Sequence, residues 1–114
     1  MKRNLVLAIP LAENSVDGSS IRPSDVIKSH KGITVEINNT DAEGRLILAD
    51  AMSYLQRNYK VKEMIELSTL TGACVVALGF NFAGLFSNSE RMREKLMGNS
   101  GVNGESLWCL PLDK

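Results

Sequence analysis

The sequence predicts an α/β fold with a mainly parallel sheet, because strand-like and helix-like stretches alternate along it. Residues 33–37 alternate apolar and polar side chains, and apolar residues then recur at helical spacing from Leu48 to Tyr59. A second β-rich run, residues 61–67, predicts another strand. It should pair in parallel with an earlier strand, because the helix between them supplies the long crossover that parallel pairing needs. Ligands of such sheets bind at the carboxyl ends of the strands, where the connecting turns lie.

The first third of the chain predicts a polar loop followed by a hairpin. Residues 13–24 are rich in Asn, Ser, Asp and Gly, which favour turns. Residues 26–28 and 33–37 predict two strands joined around His30-Lys31-Gly32, with Gly32 at a positive φ. His30 is the only histidine in the sequence, and a lone histidine in a turn is more often solvated than a ligand.

Turn and cap signals predict the remaining elements. Helices are expected over residues 43–58, over 73–78 with Gly79 at the end, and from the cap Ser89 to 97. Residues 82–86 are expected to form a strand, residues 98–104 a flexible loop, and residues 107–110 an extended apolar segment.

Composition excludes several classes of partner. The 13 basic and 13 acidic residues balance to a net charge of zero, and no Lys/Arg stripe follows a phosphate backbone, so nucleic acid is not expected to bind. Cys74 and Cys109 lack CxxC spacing, which favours reduced thiols in the cytoplasm. Met1-Lys2-Arg3 and the apolar run after it offer a signal peptide as an alternative, but Pro10 interrupts the run and no cleavage site follows. No stretch reaches the roughly 20 apolar residues of a membrane span.

Residues 39–46, Asn-Thr-Asp-Ala-Glu-Gly-Arg-Leu, join the strand to the helix and carry the one predicted site. Thr40 and Glu43 have the spacing of a capping box, which would make the turn purely structural. Gly44 weighs against that alternative, because glycine costs a helix about 1 kcal/mol relative to alanine and indicates a close approach. The carboxylates of Asp41 and Glu43 are donors that Mg, Mn or Zn would use, and Arg45 could hold a small oxyanion.

The second strand-to-helix turn is residues 68–72, Ser-Thr-Leu-Thr-Gly. A right-handed crossover would bring it to the same sheet edge as Asp41 and Glu43. From the local pattern alone, a Ser/Thr helix cap is the better interpretation of this turn.

Residues 39–46 resemble the signature of the leucyl aminopeptidase (cytosol aminopeptidase) family of two-metal exopeptidases. The resemblance extends over nearly the whole chain: it includes residues 22–26, where the family usually has glycine at the position of Ser24, residues 68–73 and residues 108–112. It implies a three-layer α/β/α fold with a mixed, mainly parallel sheet, in which residues 5–12 form a buried strand.

The resemblance also implies a role for each matched residue. Asp41 would ligate one of two divalent metal ions, Zn or Mn, through its carboxylate and main-chain carbonyl, and Glu43 would bridge both ions. Arg45 would be catalytic by holding a bicarbonate ion that acts as general base. Asn39, Thr69, Leu70 and Gly72 would bind the peptide substrate.

The family's other ligands, a lysine and two aspartates, and its catalytic lysine have no counterpart in this sequence. Residues 1–114 are therefore expected to be part of a catalytic domain that lacks an upstream ligand segment and a downstream end. The chain alone is expected to be inactive, since two carboxylates cannot satisfy two divalent cations. The resemblance further implies a cytoplasmic hexamer with no membrane partner. The alternatives are a truncated structural or interaction module of the same fold and, more distantly, a metal or anion site on an unrelated α/β fold.

Overall fold

The computed structural model describes residues 4–14 and 16–113, and the basic start at residues 1–3 lies outside them. The chain divides into two compact units, Met1–Leu70 and Thr71–Lys114. The fold class is α/β, as the sequence predicts. Among the described residues, no helix has the length and apolar character needed to cross a bilayer.

The first unit begins its regular structure with the predicted hairpin. Strands β1 (Val26–Lys28) and β2 (Thr34–Glu36) pair antiparallel, with Ile27 opposite Val35. Gly32 closes the turn with a φ of 88°, a left-handed conformation in which a side chain would be strained. The predicted hairpin and its glycine are therefore confirmed.

A second left-handed residue lies where the chain enters the hairpin. Ser24 has a φ of 74°, and its amide donates to the carbonyl of Ile37 at 2.7 Å. The amide of Ile37 returns a bond to the carbonyl of Asp25 at 2.8 Å, so the pairing continues beyond β1 and β2. Ile37 is the one apolar side chain classed as buried among the described residues, with 4% of its surface exposed.

Helix α1 (Glu43–Asn58) has the bounds that the sequence predicts. A single 3-10 turn, Thr40–Ala42, precedes it, and the chain becomes extended again at Tyr59. The middle of α1 is tied to the hairpin tip, because the amide of His30 donates to Oδ1 of Asp50 at 2.9 Å. This bond fixes the hairpin and α1 relative to each other within the first unit.

The second unit contains α2 (Ala73–Leu78), β3 (Phe82–Leu85), α3 (Glu90–Met97) and β4 (Ser106–Cys109). β3 and β4 pair in parallel across the α3 connection, with Gly84 opposite Trp108. The rings of Phe82 and Trp108 meet edge to face, with 5.7 Å between their centroids. The predicted elements of this unit are thus present, and β3-α3-β4 is a parallel crossover unit.

The end of α2 and the start of α3 follow the predicted signals. Gly79 ends α2 with a φ of 70°, and the hydroxyl of Ser89 accepts the amide of Met92 at 3.4 Å to cap α3. Arg93 pairs with Glu90 one turn earlier, and its Nε lies 2.8 Å from Oε2. That hydrogen bond lowers the pKa of Glu90 and raises the pKa of Arg93.

Two predicted strands do not form. Residues 5–12 and 61–67 have no strand assignment, and within them Leu7 is 78% and Leu67 90% exposed. An apolar, β-rich sequence becomes a strand only when a neighbour takes up its hydrogen bonds, and no described segment pairs with either run. The strand prediction for these two segments is therefore wrong for this structure.

Candidate active site

The predicted site turn begins at Asn39, the last extended residue after β2. Its φ and ψ are −143° and 119°, and its Oδ1 accepts the amide of Asp41 at 2.9 Å. The carbonyl of Asn39 accepts the amide of Ala42 at 3.2 Å, which closes the 3-10 turn. The asparagine side chain is thus the cap that starts this turn.

The capping box between Thr40 and Glu43 is not formed. The residue that caps α1 is Ala42, which makes no side-chain capping bond. Asp41 and Glu43 are both exposed, so neither carboxylate is used to satisfy a helix amide in the described structure. The structural alternative for this pair is therefore not supported, and both carboxylates lie near the positive end of the helix dipole.

An open cleft of about 1020 Å³ lies beside this turn within the first unit. Asn39, Thr40, Asp41 and Glu43 line it together, and they share the cleft with residues 12–14, 16, 17 and 19–21 of the preceding segment. Its apolar wall comes from β1, the residue that follows β2, and α1, namely Ile27, Ile37, Leu46 and Ile47. Polar groups converging on a partly apolar cleft of this size are typical of small-ligand sites.

Leu70 reaches the same helix start from the end of the first unit. A methyl group built on Gly44 would lie 2.7 Å from Cδ2 of Leu70, well inside carbon–carbon contact distance. The close approach that glycine at this position predicts is therefore present. It joins the second predicted turn to the first turn of α1.

The other predicted site residues are less closely grouped. Arg45 and Thr69 are exposed and do not line the cleft. Gly72 belongs to the second unit, where it caps α2 with a φ of −65°. The hydroxyl of Thr71 accepts the amide of Ala73 at 3.2 Å just before the helix, but the N-cap residue makes no side-chain bond, so the Ser/Thr cap predicted for this turn does not form at the capping position.

The chemistry of the donors suits a divalent cation, but the set is incomplete. Carboxylate oxygens on one turn are typical ligands of Mg, Mn and Zn. Across residues 4–14 and 16–113, no group of three or more His, Cys, Asp or Glu side chains is placed to hold a metal ion. Asp41 and Glu43 therefore do not form a complete metal centre with other side chains of the described part of the chain.

Sequence reasoning missed a polar cluster behind the turn. Nδ1 of His30 lies 2.9 Å from the hydroxyl of Ser53, and its ring meets Tyr54 edge to face with 5.8 Å between centroids. Asp50 and Ser53 are three residues apart and so share one face of α1, which was the available signal. His30, for which the sequence predicts a solvated side chain, is half-buried and packs against α1. The sequence also does not predict that Glu13 and its neighbours line the cleft.

An α/β fold with paired carboxylates on a strand-to-helix turn above a cleft is typical of metal-dependent hydrolases. The profile of the cytosol aminopeptidase family, catalytic domain, matches residues 1–114. The chain belongs to the cytosol aminopeptidase family, as the resemblance of its site turn predicted.

Individual relatives agree with the family match. A probable cytosol aminopeptidase of Ehrlichia ruminantium is 54% identical over 114 residues, which is 99% of this chain and 23% of that protein. A probable cytosol aminopeptidase of Chlorobium phaeobacteroides is 52% identical over 104 residues, 91% of this chain and 21% of that protein. A solved mutant of tomato leucine aminopeptidase matches with a TM-score of 0.83 at 41% identity, covering 90% of this chain and 20% of that one. The chain thus spans about a fifth of the length of the relatives it matches.

Proposed function

We propose that this chain is part of the catalytic domain of a metal-dependent aminopeptidase, which releases N-terminal residues such as leucine from peptides. The observation that carries the proposal is the placement of Asp41 and Glu43 on one turn, both exposed and both lining one cleft. The family match and the names of the relatives support it.

Asp41 and Glu43 are the residues of this chain that would hold metal. Asp41 would ligate one ion and Glu43 would bridge two, with the remaining ligands supplied by residues outside this chain. Bound zinc or manganese would lower the pKa of a water molecule and polarise the scissile carbonyl. Because no group of three or more His, Cys, Asp or Glu side chains is placed to hold a metal among the described residues, we expect the chain alone, supplied with either metal, to show no appreciable hydrolysis of a leucine amide.

Arg45 and the surrounding main chain would bind the rest of the reacting groups. The guanidinium of Arg45 presents donors in a fixed fork, which suits a small planar oxyanion such as bicarbonate. Asn39, Thr69, Leu70 and Gly72 would contact the peptide. Asn39 is already fixed by its bond to the Asp41 amide, so any contact from its amide nitrogen is pre-positioned.

The complete protein would act as a cytoplasmic enzyme on peptides, and the family resemblance suggests six subunits. Names of the relatives as cytosol aminopeptidases support the cellular location.

A chimera provides the direct test of the site. The segment of the Ehrlichia ruminantium relative that matches this chain is replaced by residues 1–114, which are 54% identical to it. Metal content is counted by atomic emission beside turnover of a leucine amide. Glu43→Ala should lose both metals and activity together, whereas Asp41→Ala should keep about one metal per subunit, since it strips one site only.

Arg45→Ala tests the proposed oxyanion-binding role separately from the two metal-binding roles. It should retain metal while turnover falls by up to about 10²–10³-fold, the loss typical of one preorganised oxyanion donor. Glu36→Ala is the matched control, because Glu36 is an exposed carboxylate on β2 that does not line the cleft. If Glu43→Ala kept two metals and a near-normal rate, the bridging role and the proposed site would be refuted.

The incomplete set of carboxylates favours a second candidate, a non-catalytic module that assembles with full-length subunits. Measuring the mass of the endogenous protein distinguishes the enzyme from the non-catalytic module. A polypeptide about five times the 12.5 kDa of this chain supports the enzyme, and one near 12.5 kDa supports the module.

A further inference from the structure

We propose that Gly44 is a positioning residue for the aminopeptidase reaction. By lacking a side chain, it lets Leu70 lie directly against the first turn of α1 and so sets the distance between that turn and the 69–70 segment. The inference rests on the proposed function, in which this segment contacts the peptide substrate.

The contact between Gly44 and Leu70 is close. A methyl group at Gly44 would lie 2.7 Å from Cδ2 of Leu70, whereas carbon atoms in favourable contact are about 3.5–4.0 Å apart. A methyl group built at Gly18 meets nothing within 4 Å. The absence of a side chain at position 44 therefore removes about 1 Å of overlap that would otherwise move Leu70.

The backbone itself does not require glycine at this position. Residue 44 is the second residue of the 16-residue helix α1, and its φ is not left-handed. Alanine has the higher helix propensity and would be accepted by the helix at this position. Since the local conformation favours alanine, the demand for glycine comes from Leu70.

The location of the contact links it to the site. Glu43 and Arg45 flank Gly44 in sequence, and Glu43 lines the cleft. Leu70 is 41% exposed, so its side chain has room to rotate away if position 44 carries a methyl group. Such a rotation changes the surface that Leu70 presents beside Glu43 without unfolding the helix.

Kinetics of the chimera described above test the role. Gly44→Ala should lower kcat/KM by about 10–100-fold, the scale of a misplacement near 1 Å, while metal content is retained and the melting temperature does not fall. Leu70→Ala removes the atom that clashes, so the Gly44→Ala/Leu70→Ala double variant should differ from Leu70→Ala alone by less than about threefold. Gly18→Ala, a glycine with open space around it, should keep the unsubstituted rate.

The outcomes separate this inference from the proposed function. If the unsubstituted chimera is active but Gly44→Ala matches Gly18→Ala, only the role of Gly44 is overturned. Equal losses from Gly44→Ala with and without Leu70 also overturn it, because they show no coupling between the two positions. An unsubstituted chimera that releases no N-terminal residues overturns the proposed function, and with it this role.

A structural measurement needs no activity at all. In the 114-residue chain, we expect a nuclear Overhauser effect between the α protons of Gly44 and a δ methyl group of Leu70. Its absence would refute the contact on which the inference depends.

Discussion

Replacing Ser24 with glycine should stabilise the first unit. Ser24 has a φ of 74°, a left-handed conformation that costs an L-residue roughly 1–2 kcal/mol. Glycine adopts it without that cost but gives back about 0.4–1 kcal/mol through its greater freedom in the unfolded chain. We therefore expect a net gain of about 0.5–1 kcal/mol.

Hydrogen exchange at one amide reports this gain. The amide of Ile37 donates to the carbonyl of Asp25 at 2.8 Å, in the pairing that Ser24 also joins. If local opening limits exchange, a gain of 0.5–1 kcal/mol slows it by about 2–5-fold, since 1.4 kcal/mol is tenfold. The measurement uses the 114-residue chain in Ser24→Gly and unsubstituted forms.

Gly32 offers the reverse substitution in the same hairpin. Its φ is 88°, and a side chain there would meet only Cε of Lys28, at 4.0 Å. Gly32→Ser should therefore speed exchange of the Ile37 amide by a similar factor through backbone strain alone. Unchanged or faster exchange in Ser24→Gly, with the expected effect in Gly32→Ser, would refute the claim that Ser24 is strained.

Two further predictions concern the surface and α3. Large apolar side chains are exposed in each unit, among them Leu67 at 90% and Phe80 at 93%. The chain should self-associate in sedimentation assays and bind a hydrophobic dye in fluorescence assays, and Phe80→Glu should weaken both effects. A monomer that does not bind the dye would contradict this prediction. By carbon NMR, the pKa of the Glu90 carboxyl should lie below the ordinary value for a glutamate side chain, because the Arg93 hydrogen bond lowers it. Arg93→Gln should raise that midpoint, and any stability from the pair is present at neutral pH and lost as pH falls through the Glu90 pKa.

Elements held by local contacts were predictable from the sequence. Helix α1 has its predicted bounds because its periodicity and the turn before it are local, and Gly32 and Ser89 act through bonds spanning three or four residues. Strands in residues 5–12 and 61–67 were not predictable in the same way. A strand depends on a partner elsewhere in the chain, and side-chain pattern does not report whether that partner is present.

The site was predictable in part for a similar reason. The pairing of Asp41 and Glu43 was predictable because they lie two residues apart on one turn. The close contact at Gly44 was predictable because glycine is unfavourable in a helix. The packing of His30 against α1 was not found, because it joins residues 20 or more apart. Sequence spacing predicts which side chains share a turn, but not which distant segment reaches it.

The bond between His30 and Asp50 closes the chain into a ring that runs through β2, the site turn and the first half of α1. Both ends of the Asn39–Glu43 turn are thereby anchored to one point outside the cleft. Ring closure restricts the conformations open to the enclosed residues, including those far from the joining bond. The conformations open to the site turn are thus restricted in part by a polar contact between two residues that do not line the cleft.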